Sequence, residues 1–208
     1  MELKEFTVGD LMSKCYIISE NGKALIIDPG AEGERLYNYL INNDLELIYI
    51  INTHGHFDHI AANKYLKKNT DAKILAHSKA DLKFKDPELN LSQVFNRKKI
   101  LSPAIDSKLK DGDQINFESL KLKILYTPGH SADGISIYIK SENALFSGDC
   151  IFANGIGRTD LEDSDFKTLK DSIENKLFTL SDECSFYAGH GPQSNLKRFK
   201  NEVWPSFS

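Results

Sequence analysis

The chain has 208 residues and a formal net charge of −4, from 26 Lys and Arg against 30 Asp and Glu. Hydrophobic residues make up 40% and charged residues 27%, which is typical of a soluble globular protein and argues against a membrane-embedded chain. The acidic balance gives no general attraction for phosphate backbones, which argues against a nucleic-acid partner. This length suits one globular domain, so we expect a single domain over residues 1–208.

The sequence shows no pattern typical of an export signal, of a membrane-spanning helix or of redox-active cysteines. The first five residues already carry charge, and no apolar stretch reaches the roughly 18 residues of a spanning helix. We therefore expect a cytoplasmic protein without membrane contact. The cysteines Cys15, Cys150 and Cys184 form no Cys-x-x-Cys pair, which predicts free, buried thiols. The basic runs at 97–99 and 197–200 are typical of solvated faces.

The first predicted elements are a hairpin and a helix. Residues 13–19 and Lys23–Ile27 have the composition of strands, and the intervening Glu20-Asn21-Gly22 contains Asn-Gly, a strong tight-turn signal. Asp28-Pro29-Gly30 ends the second strand. Apolar positions between residues 32 and 42 recur with helical spacing, which predicts a helix there.

A buried strand and a helix flank the most unusual segment of the chain. Residues 45–51 are apolar almost without interruption, which favours a strand covered on both faces. This strand leads directly into residues 53–59, whose sequence is Thr-His-Gly-His-Phe-Asp-His. The pattern then predicts a helix over 60–68 and a strand over 72–76. The following polar residues, 86–113, show no clear period, so the sequence leaves their conformation open.

The second half of the chain repeats the alternation of strands and helices. Apolar patterns with the spacing of strands occur at 120–124, 135–139, 144–146 and 185–188. An apolar stripe from Phe166 through Leu169 and Ile173 to Leu177 predicts a helix. Asp163 and Asp165 suit the positive end of that helix. A short helix is predicted to close the chain.

Seven potential metal ligands follow apolar strand runs. They are His54, His56, Asp58, His59, His130, Asp149 and His190. The first four lie within six residues, a density that is hard to explain structurally because each imidazole needs hydrogen-bond partners. Imidazole and carboxylate donors without a thiolate suit Zn, Fe, Mn or Co. Seven donors exceed the needs of one tetrahedral ion, whereas two ions that share a carboxylate would use them all.

These motifs resemble those of a known superfamily. The segment at 53–59 resembles the His-x-His-x-Asp-His signature of metallo-β-lactamase-fold hydrolases. Four further segments resemble the remaining motifs of that superfamily, in the same order: Asp28-Pro29-Gly30, Pro128-Gly129-His130, Ser147-Gly148-Asp149 and Gly189-His190-Gly191-Pro192. The resemblance covers nearly the whole chain. It implies an α/β fold, namely a four-layer αββα sandwich of two mixed β-sheets flanked by helices, with metal ions at one edge.

The resemblance also implies a role for each ligand. The implied ligands are His54, His56 and His130 for a first metal ion, and Asp58, His59 and His190 for a second. Asp149 would bridge the two ions, and its negative charge would reduce the repulsion between them. We expect two divalent ions, with zinc foremost and iron or manganese as alternatives.

Two further segments resemble particular branches of the superfamily. Gly155-Ile156-Gly157-Arg158-Thr159-Asp160 is similar to a stretch found in glyoxalase II-like and persulfide dioxygenase-like members, and residues 189–194 resemble small, single-domain glyoxalase II-like hydrolases. The implied activity is hydrolysis of a small-molecule thioester such as S-lactoylglutathione, by attack of a metal-bridging hydroxide with Asp58 among the catalytic residues. The chain ends at Ser208, without the helical extension that helps full-length glyoxalase II bind glutathione, so we expect no strong glutathione preference.

Other functions stay open at this point. The main alternative is a persulfide dioxygenase with one iron, because it shares the stretch at 155–160. A metal-binding protein without turnover belongs to a different class and would bind metal without hydrolysing any thioester. Hydrolysis of β-lactams is less favoured because the sequence shows no export signal, and RNA cleavage because of the acidic balance. The sequence does not identify the oligomeric state.

Several residues have two interpretations each. Arg158 is the candidate for binding a substrate carboxylate, although an ion pair with Asp160 or Asp163 is an equal alternative. Asp28 either orients a metal-binding loop or shapes its turn. The isolated His77 favours a structural or surface role, and Cys150 core packing. The aromatic residues at 126 and 152 line a pocket or belong to the core.

Overall fold

In the computed structural model, residues 1–95 and 99–207 are described, and the chain divides into two compact units, Met1–Leu109 and Lys110–Ser208. We call these the first and the second unit. The expectation of a single domain stays a prediction. Arg97 and Lys98 of the predicted solvated run lie outside the described residues. Within the described part of the chain, no helix has the length and apolar character needed to cross a bilayer.

The first unit is built on a mixed sheet of six strands. In chain order these are β1 (Glu2–Val8), β2 (Ser13–Glu20), β3 (Lys23–Ile27), β4 (Glu46–Ile51), β5 (Lys73–His77) and β6 (Ser107–Leu109). They lie side by side in this order; β1 to β3 are antiparallel, and β3 to β6 are parallel. The predicted tight turn is present, since Asn21 and Gly22 have φ of 54° and 76°.

Among the described residues of the first unit, five helices accompany this sheet. They are α1 (Gly33–Asn42), α2 (Phe57–Ile60), α3 (Asn63–Asn69), α4 (Ala80–Lys85) and α5 (Ser92–Phe95). The predicted helix at 32–42 is confirmed by α1, which buries Leu36 and Leu40 against the sheet core. The prediction of one helix over 60–68 is wrong, because α2 and α3 are separate. The amide of Ala62 donates to the carbonyl of Pro29 (2.9 Å) instead of continuing the helical ladder.

The second unit is also built on a mixed sheet of six strands, with a small hairpin beside it. Its strands are β7 (Gln114–Phe117), β8 (Leu120–Tyr126), β9 (Ile135–Ile139), β10 (Ala144–Gly148), β11 (Ile151–Phe152), β12 (Gly155–Ile156), β13 (Ser185–Ala188) and β14 (Ser194–Asn195). The sheet order is β14-β13-β10-β9-β8-β7, and β11 pairs with β12. Strands β10 and β13 are parallel, and the other neighbouring pairs are antiparallel.

In the described part of the second unit, one helix follows the β11–β12 hairpin and one helical turn follows the edge strand β14. Helix α6 (Phe166–Asn175) begins after Asp165, whose carboxylate accepts from the amide of Thr168 (2.7 Å). Its buried stripe contains Leu169 and Ile173 as predicted, whereas Phe166 is 42% exposed. The chain ends in one helical turn, α7 (Leu196–Arg198), which continues as a π-turn and a 3-10 turn. The predicted closing helix is therefore present but irregular.

Candidate metal centre

Parallel strands bring polar residues of the first unit to one edge of its sheet. Asp28 follows β3 and Thr53 follows β4, and these strands are parallel neighbours. The amide of Asp28 donates to the carbonyl of Ile51 (3.0 Å), so the two loops leave the sheet side by side. Strand β2 runs in the opposite direction and begins at the same edge with Ser13. The strand order β2-β3-β4 therefore places Asp28 between Ser13 and the start of the segment at 53–59.

Asp28 organises this loop through a chain of hydrogen bonds. Its carboxylate accepts from the amide and the hydroxyl of Thr53 (2.7 and 2.5 Å) and from Nδ1 of His59 (3.0 Å). Because the Thr53 hydroxyl donates to Asp28, it can only accept from Nδ1 of His54, which lies 3.1 Å away. Both histidines therefore carry their proton on Nδ1 and keep Nε2 as a lone-pair donor. Of the two roles considered for Asp28, these hydrogen bonds support the one in which it orients the loop.

The four N-terminal donors converge in a buried volume. We call His54, His56, Asp58 and His59 the N-terminal ligand group. Nε2 of His54 lies 3.0 Å from Nδ1 of His56, and Nε2 of His59 lies 3.5 Å from Oδ2 of Asp58. The three imidazoles are at most 4% exposed. Buried nitrogens that point toward each other in this way suit a divalent cation, which replaces the missing solvent.

The position of Asp58 depends on two neighbours. Oγ of Ser13 donates to Oδ2 of this carboxylate (2.8 Å). A Cβ on Gly30 would lie 1.6 Å from the carbonyl oxygen of Asp58, so only glycine permits this close approach. The Asp28-Pro29-Gly30 motif thus serves the site twice, through the carboxylate at 28 and the missing side chain at 30.

Two of the residues that sequence reasoning missed contact side chains of the N-terminal ligand group. One is Ser13, which is a common residue at the start of a strand. The other is Lys83 in α4, which is 6% exposed and whose Nζ lies 3.4 Å from Nε2 of His56. A single lysine within a short helix gives no sequence signal for burial, so only the structure reveals this contact.

Three strands with a common direction carry the predicted ligands of the second unit. Strands β8, β10 and β13 run the same way, because β9 is antiparallel to both β8 and β10 and β13 is parallel to β10. His130, Asp149 and His190 follow the carboxyl ends of these three strands. We call them the C-terminal ligand group. The predicted convergence at strand ends is therefore present within this unit.

Asp149 lies between the two histidines of its group. Its Oδ2 is 3.6 Å from Nε2 of His130 and also 3.6 Å from Nε2 of His190. Nδ1 of His130 donates to the carbonyl of Arg158 (3.0 Å), which leaves Nε2 as the lone-pair donor facing Asp149. A Cβ on Gly157 would lie 2.0 Å from the carbonyl oxygen of Asp149, so glycine is required at this position as well.

The other residues that the sequence singled out near the site each have a defined contact. Arg158 forms a bidentate ion pair with Asp160 (2.7 and 2.8 Å), the alternative to substrate binding that the sequence left open. The Tyr126 hydroxyl donates to the carbonyl of Ala132 (2.7 Å). The ring of Phe152 meets that of His190 edge to face, with centroids 6.1 Å apart.

His77 and the cysteines take no part in these groups. His77 is buried at the end of β5, where Nδ1 accepts from the amide of Lys79 (3.4 Å). The three cysteines are free and buried, as predicted. Burial raises the pKa of the Cys150 thiol to about 12, which disfavours a thiolate at this position. The donor set of both groups is thus imidazole and carboxylate, which fits zinc, iron or manganese.

The chain is similar to known metallo-hydrolases over most of its length. The probable metallo-hydrolase YqgX of Bacillus subtilis is 32% identical over 196 residues, which cover 94% of this chain and 93% of the relative. The hydroxyacylglutathione hydrolase GloC of Haemophilus influenzae is 33% identical over 207 residues, covering 96% of this chain and 95% of the relative.

Two solved structures are also similar to this chain over most of its length. The BLEG-1 B3 metallo-β-lactamase superposes with a TM-score of 0.95 at 30% identity and covers 100% of both chains. TTHA1623, solved in a di-iron-bound form, superposes with a TM-score of 0.83 at 27% identity, covering 96% of this chain and 98% of that one. The predicted fold class, two mixed β-sheets flanked by helices, is confirmed. A family model of the metallo-β-lactamase superfamily matches residues 8–190, and the chain belongs to this superfamily of metallo-hydrolases.

Proposed function

We propose that the chain is a metal-dependent thioester hydrolase with two divalent ions, acting on S-lactoylglutathione or a related small acyl thiol. The observation that carries the two-ion proposal is the position of Asp149, one of whose oxygens is equally distant, at 3.6 Å, from the Nε2 atoms of two histidines. A carboxylate placed in this way suits a bridge between two cations.

The proposed ligand assignment divides the donors between two ions. The ligands are His54, His56 and His130 for the first, Asp58, His59 and His190 for the second, and Asp149 for both. The hydrogen bonds described above support this assignment, since Nδ1 of His54, His59 and His130 is already used and Nε2 is left for a metal. When bound, the ions lower the pKa of water and polarise a carbonyl oxygen.

The chain's own residues then supply orientation. The hydroxyl of Ser13 fixes one oxygen of Asp58, which we propose as a catalytic residue that positions water at the second ion. In the reaction a C–O bond forms, the C–S bond breaks, and a proton from water passes to the departing thiolate. The attacking oxygen comes from water, so the reaction needs no side-chain nucleophile.

Similarity to GloC supports a thioester as the substrate, because that relative is named as a hydroxyacylglutathione hydrolase and is matched over nearly its whole length. This identity of 33% supports the hydrolysis of a thioester more strongly than it supports glutathione as the thiol carrier. We propose zinc foremost, with iron next, since TTHA1623 was solved with two irons. Arg158 remains a proposed substrate contact only if its pair with Asp160 opens.

Two observations favour other substrates. BLEG-1, a B3 metallo-β-lactamase, is structurally similar over the whole chain, which favours a β-lactam as the second candidate. The stretch at 155–160 also fits a persulfide dioxygenase with one iron.

The test is metal analysis of the purified protein combined with turnover of four substrates: S-lactoylglutathione, the same acyl group on a truncated thiol, a β-lactam and a persulfide. We expect about two ions per chain, hydrolysis of both thioesters, and less than a thousand-fold difference between their kcat/KM values. Oxygen consumption with the persulfide, or β-lactam hydrolysis without thioester hydrolysis, would overturn the proposal. A preference of a thousand-fold for the glutathione form, about 4 kcal/mol, would contradict the expected carrier tolerance.

A further inference from the structure

The β11–β12 hairpin and the residues that follow it contact all three members of the C-terminal ligand group. The ring of Phe152 in β11 meets the imidazole of His190 edge to face, with the centroids 6.1 Å apart and the planes at 75°. Directly after β12, Gly157 packs on Asp149, and the carbonyl of the next residue accepts from Nδ1 of His130 (3.0 Å). The position of this hairpin therefore affects where the three ligands lie.

The base and the tip of the hairpin are supported in different ways. At the base, Ile151 is fully buried and its carbonyl accepts from the hydroxyl of Ser147 (3.1 Å). The amide of Gly157 donates to the carbonyl of Cys150 (3.3 Å). The turn at 153–154 forms the tip, and the hairpin does not belong to the six-stranded sheet of this unit. The tip therefore depends on contacts with other elements.

Arg198 in α7 provides such a contact. Its Nη1 donates to the carbonyl of Ala153 (2.5 Å), and its Nη2 donates to Oδ1 of Asn154 (2.9 Å). The guanidinium also pairs with Glu202, whose Oε2 lies 3.1 Å from Nε. Because the planar guanidinium presents its donors in a fixed fork, the acceptors of two successive residues are held in one geometry.

The helical turn that carries Arg198 is itself anchored. Leu196 and Phe199 are fully buried in the core of the second unit. The amide of Arg198 donates to Oδ1 of Asn195 (2.8 Å), which caps α7. The sequence predicted a solvated face for the basic run at 197–200, whereas its arginine joins this anchored turn to the hairpin.

His190 is the most exposed side chain of its ligand group. It is 28% exposed, against 9% for both His130 and Asp149. An exposed ring has fewer packed neighbours that fix its orientation, so each ring contact has more influence. Edge-to-face pairs at this distance are favourable beyond the area that they bury. The contact with Phe152 therefore restricts the orientation of His190.

We propose that Arg198 is a positioning residue for His190. By holding the turn at 153–154, it keeps the ring of Phe152 against the imidazole. The consequence for metal binding rests on the proposed function, in which His190 is a ligand of the second ion alone. Arg198 then strengthens the binding of that ion without contacting it.

The positioning role is tested in the metal-free, full-length protein by NMR of ¹⁵N-labelled imidazole rings. In Arg198→Met we expect the His190 ring signals to shift, because the tip of the hairpin loses both donors, and the His130 signals to stay in place. The matched control is Lys197→Met, which removes the same charge from the neighbouring residue, whose side chain is 62% exposed and pairs with Glu183. Equal shifts of the His190 signals in the two variants, or none in Arg198→Met, would overturn the proposal.

Two further variants test the route through the hairpin. Asn154→Ala removes one acceptor of the guanidinium at an exposed position, so it should shift the His190 signals in the same direction but less. This variant keeps the test available if Arg198→Met does not fold. Phe152→Leu removes the ring itself, and adding Arg198→Met to it should shift the His190 signals no further, because effects that pass through one contact are not additive. An additive shift in the double variant would refute the route through Phe152.

Zinc binding separates this proposal from the proposed function. In competition with a chelator, we expect Arg198→Met to weaken one of two bound ions by about three- to tenfold and to leave the other unchanged. Loss of a positive charge by itself strengthens the binding of a cation, so charge does not account for such a weakening. Shifted His190 signals with unchanged zinc affinity would support the positioning role and refute His190 as a metal ligand. Equal weakening of both ions would overturn the proposal, since the effect would not pass through His190 alone.

Discussion

The N-terminal ligand group comes from one continuous segment, the loop after β4 and the start of α2, and is held by side-chain hydrogen bonds. The C-terminal ligand group comes from three strand ends instead. In the first unit, Asp28 and Thr53 fix the histidine tautomers and Ser13 fixes Asp58. In the second, a backbone carbonyl fixes His130 and the main chain at Gly157 packs directly on Asp149. Polar substitutions should therefore disturb the first group more than the second, whereas a close glycine contact supports each of them, at Gly30 and at Gly157.

Gly157→Ala should have the largest effect, because its Cβ would lie 2.0 Å from the carbonyl oxygen of Asp149 and 2.8 Å from Cβ of His130. We expect the free energy of unfolding to fall by about 3 kcal/mol, measured by denaturant unfolding, and turnover to disappear. Gly155→Ala is the matched control, since its Cβ meets no atom within 4 Å and should cost less than about 0.5 kcal/mol. Equal stability of the two variants would refute the packing role.

Asp58→Ala removes the carboxylate of a proposed metal ligand, which is partly exposed and accepts from Ser13. We expect kcat/KM to fall several hundred-fold, about 3–4 kcal/mol of transition-state stabilisation, with an unchanged melting temperature. Steady-state kinetics and thermal unfolding of the same preparation test this separation. Wild-type activity in this variant would remove Asp58 from the mechanism.

Asp28→Asn tests the polar network itself. The amide would present a donor where the carboxylate accepts from Thr53 and His59. We expect a loss of about 1–3 kcal/mol in unfolding free energy and roughly 10- to 100-fold weaker zinc binding in competition with a chelator. Asp71→Asn is the control, because Asp71 is exposed. A zinc affinity that is the same in both variants would count against orientation by Asp28.

The smallest effect concerns Cys184 in the core of the second unit. Burial raises the pKa of this thiol from 9.0 to about 11. The unfolded chain therefore releases the proton first as pH rises, so this contribution to stability is present below pH 9 and is lost as pH passes through about 11. Between these values the wild type should lose on the order of 1 kcal/mol more than Cys184→Ala. If the wild type and Cys184→Ala lost the same unfolding free energy between pH 9 and pH 11, the effect of burial on this thiol would be contradicted.

Much of the fold was predictable because strand and helix periods are local. The hairpin of β2 and β3 and the strands at 135–139 and 185–188 agree with their patterns. Strand β1 was not predicted, since only Phe6 and Val8 of its seven residues are buried. The break between α2 and α3 depends on Pro29, which is distant in sequence and supplies the acceptor for Ala62.

The candidate site was predictable to the extent that its motifs are dense and specific. Four donors in one loop signal a metal site directly, and strand ends explain why the other three converge within the second unit. The contacts of Ser13 and Lys83 were not predictable, because serine and lysine are common and their roles arise only from packing. Arg158 illustrates the same limit, since the sequence does not decide between a substrate and Asp160.

The hydrogen bonds of Asp28 have a consequence for how the protein takes up metal. This one carboxylate orients His59 directly and His54 through Thr53, and under the proposed assignment these two histidines belong to different ions. The network is formed before either ion binds, so both rings already present Nε2 and neither has to change its tautomer. Loss of this one carboxylate should accordingly weaken both proposed metal positions at once.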